Sequence, residues 1–104
     1  MTKVAYNNTY GGFMLTDEVI DYLRQHGMPI NNLGYIENPD GTYSSVNYDI
    51  ERHNPLLIKA LEKHPISSIS IVEVCSDKYW IWEYDGIEHV YTPETIPWIT
   101  INKE

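Results

Sequence analysis

The sequence predicts an α+β fold, an antiparallel β-sheet with two helices packed on one face and a β-hairpin at the C-terminal end. Two observations carry this. Two helix-periodic segments with their own caps occupy the first two-thirds of the chain, and the last third turns to runs of β-branched and aromatic residues. Asp85-Gly86, between two of those runs, is a strong signal for a two-residue hairpin turn.

Residues 4–6 form a short strand candidate, followed by a turn-rich stretch ending in Gly11-Gly12, where backbone can approach closely. The first helix starts at Thr16 as N-cap. Asp17 and Glu18 favour the positive end of the helix dipole, and Leu15 can staple onto Ile20. Val19, Ile20 and Leu23 make its apolar stripe, with Tyr22 beside it, and Gly27 and Pro29 end it. Residues 28–50 carry turn signals around short extended pieces at 34–36 and 46–50, and Asp40-Gly41 suits a small hairpin. The second helix opens with Asn54 as cap and Pro55 in the first turn, buries Leu57, Ile58 and Leu61, and stops at Pro65. Strands follow at 68–75, 79–84 and 87–91. Alternation puts Trp80, Trp82 and Tyr84 on one face, which a small domain is expected to use as core. Residues 92–104 read as a tail strand or a docked extension. The 104 residues show no repeat or linker and read as one domain.

Charge narrows the function. Seven Lys and Arg against fifteen Asp and Glu give −8, which argues against direct nucleic-acid binding and against anionic membranes. The same charge suits docking to a basic surface. One cysteine, Cys75, excludes a disulfide framework, and no signal peptide or membrane-length apolar run is present, so a cytoplasmic location is expected.

Catalytic and cofactor patterns are missing. There is no nucleophile elbow, phosphate loop or dinucleotide fingerprint, and the four histidines are scattered, so neither an enzyme nor a cofactor is expected. Glu83, Asp85, Glu88 and His89 surround the hairpin turn without metal-ligand spacing, and no metal is assigned. Arg52, just ahead of the second helix, either contacts an anion or partner or pairs with Glu51 or Asp49. Nine tyrosines and three tryptophans against one phenylalanine favour an interface, because such residues add contact area with a polar handle. Tyr35, Tyr43, Tyr48 and Tyr79 are the candidates for a surface patch.

Three stretches also carry a resemblance. Tyr10-Gly11-Gly12-Phe13 precedes the first helix, Arg52-x-Asn54-Pro55 the second, and Trp80-x-Trp82-Glu83-Tyr84-Asp85-Gly86-Ile87-Glu88 spans the hairpin. This layout resembles a family of small proteins scattered through bacteriophage, large DNA virus and bacterial genomes. Asn54 stands where the family pattern has Asp, and His89 where an aromatic residue is common. The resemblance implies a small accessory protein and no catalytic residue.

Together these readings lead to an expectation of a non-enzymatic accessory protein that binds and inhibits a host component. The partner would be a protein with a basic surface, such as a nucleic-acid-directed defence enzyme. Glu37, Asp40, Tyr43, Asp49, Glu51, Arg52, Tyr79, Glu83, Asp85 and Glu88 would form the binding surface. Two alternatives are kept. One is a sponge for a nucleotide signal, built from Gly11, Gly12, Arg52 and Asn54; the other is a bacterial protein-binding domain. Homo-oligomerisation is left open.

Overall fold

A computed structural model of the chain describes residues 2–94. The expected α+β fold is present. In chain order the elements are β1 (Thr2–Asn7), α1 (Asp17–Gln25), β2 (Tyr35–Glu37), β3 (Tyr43–Ser45), α2 (Pro55–Lys63), β4 (Ile69–Val74), β5 (Trp80–Tyr84) and β6 (Ile87–Tyr91). No helix among the described residues is long and apolar enough to cross a membrane. Of the expected tail at 92–104, only 92–94 are described, without a strand; the rest lies outside the described residues.

Both helix starts follow from local chemistry. The Thr16 side chain accepts from the Val19 N–H, and Asn54 Oδ1 accepts from Leu56 and Leu57 N–H at 2.9 and 3.2 Å, with Pro55 in the first turn. Val19 and Leu23 of α1 meet Leu57, Ile58 and Leu61 of α2 in the core, which also takes Ala5 of β1 and Ile69 of β4.

The antiparallel strands form three two-stranded sheets, β1–β4, β2–β3 and β5–β6, instead of one continuous sheet. The free edge of β1 explains the break. There the Ala5 N–H donates to the Arg52 carbonyl at 2.8 Å, and the Asn7 N–H donates to Glu88 Oε1 at 2.7 Å. A loop carbonyl and a side-chain carboxylate take acceptor positions that a third strand's backbone would otherwise fill. Residues 46–49, expected to be extended, form a turn after β3, closed by the Asp49 N–H donating to the Ser45 carbonyl at 2.9 Å. Val46 and Ile50 are both buried from this turn, so their apolar character reflects core packing and not a strand.

Candidate functional site

The three motif stretches meet at one place. Asp85 and Gly86 have φ of 52° and 88°, the paired positive values of the tight hairpin turn that Asp-Gly favours. A Cβ on Gly86 would lie 2.5 Å from the Gly12 nitrogen and 2.6 Å from the Gly11 nitrogen, so the hairpin turn and the Gly11-Gly12 loop are in backbone contact. Next to this contact the Arg52 guanidinium carbon sits 3.6 Å from the centre of the Phe13 ring. Arg52 Nη1 and Nη2 donate to the two carboxylate oxygens of Glu88 at 2.5 and 2.9 Å. The buried Asn7 side chain donates to the Gly86 and Thr9 carbonyls, both at 2.5 Å, and fastens the turn to the end of β1.

This node corrects several expectations. Arg52 is engaged on Glu88 and Phe13, so its fork is not open to an external anion, and its partner is Glu88 and not Glu51 or Asp49. Glu88 is 8% exposed and does not belong to a surface patch. Gly11 and Gly12 face Gly86, and Asn54 caps α2. All four residues of the expected nucleotide site are thus committed to the chain's own contacts.

The hairpin presents a different surface. In β5–β6, Trp80 pairs with Tyr91, Trp82 with His89 and Tyr84 with Ile87, so these six side chains share one face. Glu83, Glu88, Ile81 and Val90 share the other, the one that holds Arg52 and β1. The aromatic face therefore points away from the body. Trp80, Trp82 and Tyr84 are 44%, 50% and 64% exposed, which overturns their expected role as core. The core is filled instead by Phe13 and by aliphatic residues of both helices, β1, β4 and the loops between them. On the exposed face the Trp82 ring lies 6.2 Å from Tyr84, at 9° to it, and 5.8 Å from His89. Trp80 meets Tyr91 at 6.0 Å. The rings form a tiled ribbon.

The other expected binding residues fall into two further groups. Glu37 and Tyr43 are register partners on β2–β3. At the same hairpin Asp40 accepts from the Thr42 hydroxyl, which holds its carboxyl below the ordinary range, and Asp49 accepts from the Ser45 N–H. Glu51 and Tyr79 flank His53, which sequence reasoning had not assigned to a site. The Tyr79 hydroxyl and His53 Nδ1 are 2.7 Å apart, and Glu51 is 3.5 Å from the other ring nitrogen. Burial, then the Glu51 charge, raises the Tyr79 phenol above its usual value. Glu83 and Asp85 are exposed at the aromatic hairpin, where Glu83 accepts from the Gly86 N–H at 2.9 Å. Phe13 and Asn7 were also missed. Their roles depend on contacts across the fold and leave no local pattern.

No family model, curated protein or solved structure matches this chain.

Proposed function

We propose that the chain is a non-enzymatic binding protein that docks the aromatic face of β5–β6 onto a basic surface of a partner protein and covers it. The observation that carries this reading is the solvent-exposed Trp80, Trp82 and Tyr84 face on a hairpin with no cation. Residues 79–94 contain Glu83, Asp85, Glu88 and Glu94 and neither lysine nor arginine. Large aromatics supply contact area with few rotatable bonds. The hairpin carboxylates without an ion-pair partner among the described residues, Glu83, Asp85 and Glu94, favour a cationic counterpart; Glu88 is taken by Arg52. The lining of a nucleic-acid channel is a surface of that kind, so a nucleic-acid-directed host enzyme in the cytoplasm is the class of target we propose.

The test compares the tagged wild-type chain with the Trp80→Ala/Trp82→Ala variant in capture from bacterial lysate at low and high salt. A partner is expected that binds wild type, is released by salt and is lost by the variant, and whose own nucleic-acid binding weakens when the chain is added. A partner held equally by the variant, or one insensitive to salt, overturns the proposal.

A further inference from the structure

Among the described residues the aromatic hairpin also has an unpaired edge. In a two-residue hairpin of this turn type the flanking residues, Tyr84 and Ile87, form a hydrogen-bonded pair. Alternation then turns the backbone N–H and C=O groups of Trp80, Trp82 and Tyr84 toward β6, and those of Ile81 and Glu83 outward. Among the described residues β5 pairs with β6 alone, and no other hydrogen bond reaches the Ile81 or Glu83 backbone. Natural edge strands are commonly guarded by lysine, proline or a bulge. Trp80–Tyr84 has none of these: its register with β6 is continuous, and its one charge, Glu83, turns back to the Gly86 N–H.

We propose that an extended, cationic segment of the partner completes this edge, adding to β5 as a further strand. The inference rests on the docking reading above and specifies what the partner presents. Strand addition supplies affinity through the main chain of Ile81 and Glu83, and specificity through the side chains that flank the edge. Charge selects the occupant. Arg52 neutralises Glu88, while Glu83, Asp85 and Glu94 have no ion-pair partner among the described residues. A second copy of this chain would bring another net −8 to the same edge, whereas lysine or arginine on an added strand brings the opposite sign.

The experiment follows backbone amide exchange in the full chain, with and without a short capped peptide of alternating lysine and valine. On adding the peptide, exchange at Ile81 and Glu83 is expected to slow about tenfold or more, while Trp80, Trp82 and Tyr84 amides, already held by β6, change little. Glu83→Pro removes an outward donor at an edge position that accepts proline. It should weaken the peptide at least about tenfold beyond Glu83→Gln, which removes the charge alone. Three results overturn the inference. Protection of Ile81 and Glu83 in the free protein would mean that the edge is already filled, by a second copy if protection grows with concentration and within the chain if it does not. Indole shifts with unchanged Ile81 and Glu83 exchange would mean docking on the face without strand addition, which leaves the broader reading standing. A peptide that does not bind removes the cationic strand. The broader reading fails separately, when the double tryptophan variant keeps its partner.

Discussion

Arg52 and Glu88, 36 residues apart in the chain, form a two-pronged ion pair at 2.5 and 2.9 Å, with the guanidinium lying over Phe13. The two side chains are only 14% and 9% exposed, and Glu88 Oε1 also accepts the Asn7 N–H. Each partner thus removes a desolvation penalty that the other would suffer alone. The pair joins the loop before α2, the end of β1 and the hairpin.

Removing one side should therefore cost more than removing both. Arg52→Ala leaves a nearly buried carboxylate unpaired, and urea unfolding should show a loss of about 3 kcal/mol. The Arg52→Ala/Glu88→Gln double variant should recover part of that loss. If the two single losses simply add in the double variant, the pair is not coupled and the node is incorrectly described.

The hairpin turn allows a sharper comparison between two glycines of similar backbone geometry. Gly86 and Gly41 have φ of 88° and 87°, yet a Cβ on Gly41 meets nothing within 4 Å, whereas one on Gly86 runs into the Gly11-Gly12 backbone. Alanine at Gly41 should cost about 1–2 kcal/mol, the ordinary penalty of that conformation. Gly86→Ala carries the same penalty and must also push the hairpin off the loop, so its melting temperature should fall clearly further. Equal shifts for the two variants would argue against the close contact.

These features separate what the sequence could reveal from what it could not. Thr16, Asn54-Pro55 and Asp85-Gly86 act on residues one to three positions away, so both helices and the C-terminal hairpin were legible from local chemistry. Alternation sorted Trp80, Trp82 and Tyr84 onto one face, but a period of two does not say which face is wet. That was decided by Glu88 on the opposite face, through an arginine far away in sequence. The same distance hid the partner of Arg52 and the bridge from Glu51 through His53 to Tyr79. Val46 and Ile50 misled because burial at a turn and burial in a strand leave the same apolar marks.

The exposure of the aromatic face predicts an unusual tryptophan. Trp82 is half exposed and its ring lies against those of Tyr84 and His89 on the outer face, so Trp82→Ala should lower stability by only about 1 kcal/mol. Leu57→Ala, in the middle of the core, should cost about 2–5 kcal/mol. Urea denaturation of both variants checks this, and a Trp82 loss as large as that of Leu57 would show that the face is buried in solution.

Tyr79 predicts an alkaline limb in the stability profile. Its phenol is raised above the ordinary 10.0, first by burial and then by the Glu51 charge, so the folded chain holds the proton more tightly than the unfolded one. The contribution is complete below about pH 10 and declines as pH rises through the folded value, because the unfolded state then gains from deprotonation first. Tyr79→Phe removes the titrating group and should flatten this part of the decline. His53 loses a hydroxyl neighbour at 2.7 Å in that variant, so its stability at neutral pH should be slightly lower than wild type. Urea midpoints between pH 8 and pH 11 separate the two effects. A variant that falls as steeply as wild type above pH 10 would assign the limb to other tyrosines and lysines and remove Tyr79 from it.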